Sequence, residues 1–549
     1  MKMLRRSVCL LLCAALFLTL LAGCGKQEEP AEDFVVSAAV CGPLETLDPT
    51  MNTDVGAESL LSTLFEGLMR MRDDGAGKAV AVAGIAKEYI EEKNYDDTVT
   101  YTFTLRSAAR WSDGERVTAE DFVYAWQRLV DPATASPNAS LLSMVAGYDE
   151  VRESGDVSLL GVKAKGESTF LVTLSRPCAY FITSVCTLPA TAPLRRDLVE
   201  GNASWAATAD IVTNGPYTVG TWVKAAQLQT KRNGEYYESK LVVPDSICFR
   251  FETDAQTNYD QLLAGELDYT AKLPYAAIEQ LAEDETWQPA PLAETVCVLY
   301  NHLTDTFSDA QLRRAFDLAI DRAAATATGG AENSPATGLV PYGIPDSGET
   351  EDDFRTTGGE LCAIDEEGMS ARATQAQEEL TYAGYYSTSM FPPVELLYVT
   401  GTENDTVASA LQSMWSTTLG VNVMLRGVTQ SEYNARMEAG NYELALQKVT
   451  ALYDDAMGFL DRWCSEDEQN LISYENGTYD VLMGVARASE DPVARTAFLH
   501  DAETMLLGET ALSPVYFDGT AHMLRDTLRG VYTDGFGNSY FAGVRANTD

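Results

Sequence analysis

Histidine is scarce in this 549-residue chain: His302, His500 and His522 are the whole supply, and no two stand near each other in sequence. That weighs against a metal centre built on imidazoles and leaves few candidates for a general base. CxxC, HExxH, GxSxG and P-loop patterns are all missing, so dithiol, zinc-protease, serine-hydrolase and nucleotide chemistry have no motif to stand on. Acid neighbours such as Glu366 and Glu367 come cheaply in a chain this acidic, and nothing sets them across a sugar at glycosidase separation. His302, beside Asn301, reads as structural. No enzyme and no cofactor are expected.

Positive charge is the second shortage. Lys and Arg total 39 against 81 Asp and Glu, a formal charge of -42, which repels phosphate backbones and anionic headgroups and argues against a nucleic-acid partner. Past the first residues there is no apolar run long enough to span a bilayer. A hydrophobic content of 46% in a chain this long supports substantial cores, divided among two or three lobes.

The N-terminus supplies what the rest lacks. Lys2, Arg5 and Arg6 precede an apolar run from Val8 to Ala22, a charge pattern and length that predict a signal peptide over 1–23. The run closes on Leu21-Ala22-Gly23-Cys24, which resembles the lipobox of bacterial lipoproteins and implies lipidation of Cys24 followed by a tether over 24–33. The expected location is extracytoplasmic: the outer face of the cytoplasmic membrane, or the periplasm. Cleavage removes three positive charges and no acid, so lipid rather than charge would hold the body to the membrane, and the two chains of a diacylglyceryl group suffice. Cys41, Cys178, Cys186, Cys248, Cys297, Cys362 and Cys464 then remain. Their odd number leaves at least one unpaired, and buried free thiols are expected.

The most informative stretch is Tyr101 to Pro137. Tyr101, Phe103 and Leu105 alternate with Thr102 and Thr104, predicting a strand with one buried face. Ser112-Asp113-Gly114 breaks it as a turn. Thr118 with Asp121 three residues on caps a helix whose Phe122, Trp126, Leu129 and Val130 fall at helical spacing, and Asp131-Pro132 ends it.

This block resembles the signature region of the family 5 extracellular solute-binding proteins, the oligopeptide and dipeptide binders of ABC importers. Later segments are similar too: Val212 to Tyr217 with Trp222, Leu262 to Tyr269, Leu312 to Arg322, Gly338 to Pro341, Leu419 to Val423, and Tyr433 to Leu446. The resemblance implies an α/β fold of two clamping lobes joined by a hinge, periplasmic-binding-protein-like of type II, with an additional appended lobe. It places the first lobe at 34–65, 207–296 and 505–549, the appended lobe at 66–206, and the second clamping lobe at 297–504. The hinge crossings would fall near Tyr300 and near residue 504. The implied role is that of a monomeric receptor closing on a peptide or other small solute and passing it to ABC permease subunits. A surface signalling or adhesion lipoprotein on the same scaffold stays open, as do oligosaccharide, metal-chelate and haem ligands.

In peptide-binding members an extended peptide adds to backbone edges between the clamping lobes. The matching segments are Thr53, Asp54 and Val55 in the first lobe and Lys448, Val449 and Thr450 in the second. Side chains depart from the pattern. The Asp expected to receive the ligand's amine has become Leu452, beside Tyr453, and Asp454, Asp455 or Asp54 could substitute. An aromatic over the ligand becomes Asn138, a pocket Trp becomes Gln430, and two arginines become Met437 and Leu446.

Overall fold

The computed structural model describes residues 33–547 apart from 53–55, 76, 97, 275–276, 279–280, 282–286, 331, 347–352, 366, 388–390, 452, 468 and 490. The leader, Cys24 and nearly all of its tether, Thr53 to Val55 and Leu452 therefore lie outside the described residues. The first lobe opens with β1 (Val35–Ala39), whose Val36 and Ala38 are fully buried. A hairpin of β2 (Met69–Asp73) and β3 (Ala79–Ala83) follows. β4 (Ala86–Lys93), β5 (Val99–Leu105), β6 (Val162–Ala164) and β7 (Thr169–Leu174) then form a separate antiparallel sheet in the order β4-β5-β7-β6.

The signature block builds this appended sheet's core. Val99, Tyr101, Phe103 and Leu105 of β5 are buried and the threonines between them are not, the alternation that a half-buried strand requires. The helix Ala119–Val130 is capped by Thr118, whose backbone N–H donates to the Asp121 carboxylate at 2.8 Å, and it ends at Asp131. Its Trp126 meets Phe170 edge-on at 5.2 Å and donates from the indole N–H to the Thr191 carbonyl at 2.9 Å, so the large ring is buried with its one polar group satisfied.

β8 (Tyr217–Val223), β9 (Gln227–Arg232), β10 (Ser246–Arg250) and β11 (Tyr269–Thr270) complete the first lobe around β1. A single hydrophobic cluster runs from Val36 and Phe249 of this lobe to Phe103 and Trp126 of the appended sheet. The two are thus joined by a shared core rather than by a linker.

The long strand β12 (Trp287–Tyr300) leads into the second lobe. It is followed by β13 (Ser334–Pro335), β14 (Val394–Val399), β15 (Val423–Val428), β16 (Leu444–Thr450) and β17 (Leu512–Leu524). Together with the first lobe's strands they make one sheet in the order β15-β14-β16-β12-β17-β11-β1-β10-β9-β8, with β13 beside β17. Strand alternation sorts the second lobe's packing. Val296, Val298 and Tyr300 join the core formed with helices Ala310–Leu318 and Asn404–Leu419, while Cys297 and Leu299 join the core formed with Gly477–Ala488 and Pro492–Gly508.

Both expected hinge crossings fall beside residues packed into second-lobe cores. Tyr300 is fully buried in a second-lobe core, its hydroxyl 2.7 Å from Ser513 Oγ, and Leu506 and Leu512 lie in the other. The β12–β17 register shifts between Pro291 and Thr295, opposite Phe517 to Gly519, and again between Val296 and Cys297. A crossing is decided by which core covers a strand, and sequence similarity does not display that. All seven expected cysteines are buried, and Cys178, Cys186, Cys248, Cys297, Cys362 and Cys464 are free.

Away from the cleft, the second lobe holds a buried ion pair: Arg355 Nη1 stands 2.7 Å from Glu503 Oε1, both side chains fully inaccessible, and the same oxygen accepts from the Leu339 and Val340 amides. Removing one member strands the other charge in a low-dielectric core. Arg355→Met is expected to cost about 3–5 kcal/mol of stability in urea unfolding. A loss well below 1 kcal/mol would show that Glu503 is neutralised some other way.

Candidate ligand-binding cleft

β14 pairs with β16 only at Leu396–Leu444 and Leu397–Ala445. Beyond Ala445, the side of β16 turned away from β12 carries no neighbouring strand among the described residues. The Ala451 amide donates to Ala293 of β12, so by strand alternation residues 446, 448 and 450 turn their backbone groups to the open side. Their carbonyls accept from side chains there: Leu446 from Tyr433 Oη at 3.0 Å, Lys448 from Gln447 Nε2 at 2.8 Å, and Thr450 from Arg462 Nη2 at 2.6 Å. An open edge furnished with exchangeable side-chain partners can accept an added strand.

The side chains on this strand do other work. Val449 is buried in the second-lobe core. The Lys448 ammonium is held by Glu294 at 3.2 Å and by Asp518, with Glu403 at 4.0 Å. Burial would lower its pKa, but these acids more than reverse that and keep it charged. Burial raises the Glu294 carboxyl and Lys448 offsets part of the rise. Thr450 Oγ1 donates to the same Glu294 at 3.1 Å. Lys448 is therefore tied into the strand crossing through its side chain and faces the open edge only through its backbone.

On the first lobe, the segment leading to Thr53 is pinned. Asn138 Nδ2 donates to the Asn52 and Thr50 carbonyls at 2.8 and 3.3 Å, Ser136 Oγ to Thr50 O at 2.6 Å, and Arg128 bridges to Asp48 at 2.6 Å. Asn138 thus shapes the approach to the cleft by tying its backbone. Gln430 starts the helix Gln430–Glu438, is exposed, and bonds its own helix at Asn434. Met437 and Leu446 are buried in the two second-lobe cores, so neither replaces an arginine as a ligand contact.

The lobes meet at Tyr453 and Asp454. The Tyr453 ring lies flat on Tyr180 of the appended lobe, centroids 3.4 Å apart and planes 7° from parallel. The Asp454 amide donates to Ser184 Oγ at 3.2 Å, and Lys78 of the hairpin reaches the Gly343 carbonyl of the second lobe at 3.3 Å. A cavity of about 500 Å³ opens along this seam, walled by Met71, Lys78, Asp346, Phe354, Asp454 and Leu499 among others, within the usual size range of small-molecule sites. Asp455 is taken, paired through both oxygens with Arg495 at 2.8 Å. The Asp454 carboxyl is pushed up to about 7, chiefly by burial; Lys78 pulls it back, and Asp534 and Asp455 push it further.

His302 is half-buried with Nε2 3.0 Å from the Ala511 carbonyl, and desolvation brings its pKa down to about 4. That leaves it neutral and structural. No group of three or more His, Cys, Asp or Glu is arranged to hold a metal among the described residues. Sequence reasoning missed Lys78, Tyr180, Ser184, Asp346 and Arg462. None sits in a recognisable motif, and each gains meaning only from the lobe it faces.

Residues 81–470 match the family model described as bacterial extracellular solute-binding proteins, family 5 middle. The chain is 30% identical over 494 residues to the probable deoxycholate-binding periplasmic protein YgiS of Escherichia coli K12, covering 88% of each. It is 30% identical over 509 residues to the periplasmic oligopeptide-binding protein OppA of the same organism, covering 90% of each. Among solved structures, Haemophilus influenzae OppA in complex with RPPGFSPFR superposes with a TM-score of 0.74 at 26% identity, over 94% of this chain and 99% of that one.

Asp454 gives the cleft a pH signature. Its folded pKa lies above the ordinary value of about 3.9, so the native state binds the extra proton and loses stability as pH rises from about 4 to about 7. Asp454→Asn is expected to gain on the native chain across that window by at most about 1.4 kcal/mol per pH unit, with no further change in the difference below it. Urea unfolding at pH 4 to 8 measures this. A constant difference over the range would mean that Asp454 titrates as an exposed acid does.

Proposed function

The chain belongs to the bacterial extracellular solute-binding proteins of family 5, and from that premise we propose that it captures a peptide by closing its lobes and delivers it to the permease of an ABC importer. The observation that carries the reading is the open edge of β16, where the carbonyls of 446, 448 and 450 accept only side-chain partners. A peptide strand seated there would exchange those partners for its own amides, which every sequence possesses. Lys448, Val449 and Thr450 contribute backbone, Thr53, Asp54 and Val55 form the facing segment, and Asn138 holds that segment's base. Tyr453 and Asp454 close the seam. Gln430 stands at the margin, and Leu452 leaves the ligand's amine to another acid.

Cys24 anchors the receptor by lipid at the outer face of the membrane, and the body works as a monomer without a cofactor. Cys24→Ser is expected to shift the protein from the membrane to the soluble fraction on cell fractionation. Undiminished membrane association would overturn the anchor.

A second reading has specific support. The amine-binding carboxylate expected at 452 is missing, the seam cavity has apolar walls, and YgiS is named for deoxycholate, so a compact amphipathic solute is the competing ligand. Mass spectrometry of small molecules co-purifying with the soluble body from its own host decides between them. Peptides are expected; a sterol-like or saccharide ligand in their place overturns the peptide reading. A signalling or adhesion role would instead leave peptide uptake unchanged in a deletion strain.

A further inference from the structure

We propose that the seam cavity is a recognition pocket for one cationic side chain of the bound ligand, a lysine or an arginine, with Asp454 and Asp346 as its anions. The inference rests on the peptide reading above. The cavity lies between the β2–β3 hairpin and the second lobe, and three acids line it. Asp455 is neutralised by Arg495, and its charge is spent. The Asp346 side chain is 4% exposed, yet its Oδ1 has no hydrogen-bond partner among the described residues. The nearest basic group is His500 Nε2 at 3.5 Å, close enough for attraction if protonated but not hydrogen-bonded. A buried carboxylate oxygen left in this state is costly, and a bound ammonium or guanidinium would relieve it.

Asp454 lines the same cavity from the seam. The cation that now answers it is Lys78, whose ammonium reaches across from the hairpin to the Gly343 carbonyl at 3.3 Å. That bond is long, and Lys78 itself is exposed, so a ligand cation can take its place while Lys78 returns to water. Met71, Ala79, Ala81, Ala179, Phe354 and Leu499 supply apolar wall of the kind that sheathes the methylene stem of lysine or arginine. The cavity's volume of about 500 Å³ leaves room for such a side chain together with water.

The test is calorimetric titration of the purified protein with alanine pentapeptides in which lysine, arginine or norleucine is walked through each position. At one position the lysine or arginine peptide is expected to bind at least about tenfold more tightly than its norleucine counterpart. Asp346→Asn and Asp454→Asn should each erode that preference, and Lys78→Met, at an exposed site, should enlarge it. Binding of all peptides without a charge preference overturns the pocket and leaves the peptide reading intact. A preference undiminished in the Asp346→Asn/Asp454→Asn double variant, or reduced by Lys78→Met, overturns it as well. Failure of every peptide to bind overturns the peptide reading, and the pocket's assignment falls with it.

Discussion

The antiparallel ladder of β12 and β17 is the constraint on which the rest of the molecule depends. It carries one sheet through both clamping lobes. Each strand buries alternate faces in two different second-lobe cores and then continues into the first lobe. A ladder of this length resists sliding, because a one-residue slip would turn every inward side chain outward. Bending is a different matter. The register shifts of β12 against β17 between Pro291 and Thr295 and between Val296 and Cys297 interrupt the regular pairing, and bulges are where strands bend most easily. Lobe closure is then a hinge motion about a fixed register.

The charged cluster at this crossing fits the same logic. Glu294 of β12, Lys448 of β16 and Asp518 of β17 join three strands through one ammonium. Desolvation cancels much of the Coulombic gain of such a buried group, as the upward push on Glu294 shows. Its value lies in registry: an ammonium on β16 with acids on β12 and β17 has one favourable position. It also fixes the backbone at Lys448, where the open edge begins, without using any side chain that a ligand would need.

Legibility in the sequence followed the range of the interactions involved. The β5 strand, the Thr118–Asp121 cap and the helix through Trp126 were readable because each is set by neighbours within four residues. The buried free cysteines followed from counting and from the lack of paired spacing. Tyr300 looks like an element's end in the sequence but sits in a core that only the folded chain assembles. Asn138 was marked as a departure from an aromatic, and nothing local could show that its amide would tie down Thr50 and Asn52, more than 80 residues earlier. Asp454 was found by adjacency to Leu452. Asp346 and Lys78, which share its cavity, arrive from segments over 100 and over 350 residues away and left no trace in any motif.

These arrangements divide affinity from choice. On the peptide reading, backbone groups at an open edge recognise what all peptides share, so binding there would survive the loss of nearly every side chain expected to face the ligand. Leu446 and Met437 could become core residues without closing the cleft, because the carbonyl row at 446, 448 and 450 is generated by strand parity, not by residue identity. Discrimination must then come from groups that no peptide backbone can satisfy. In a body with twice as many acids as bases, surface carboxylates are screened and solvated, and they select nothing. Carboxylates that are buried, short of partners and enclosed by apolar wall feel a bound cation strongly. Asp346 and Asp454 meet those conditions where the appended lobe closes on the second. On the proposed reading, selectivity resides in second-lobe carboxylates set apart from the β16 edge, and it can change without disturbing the edge that binds.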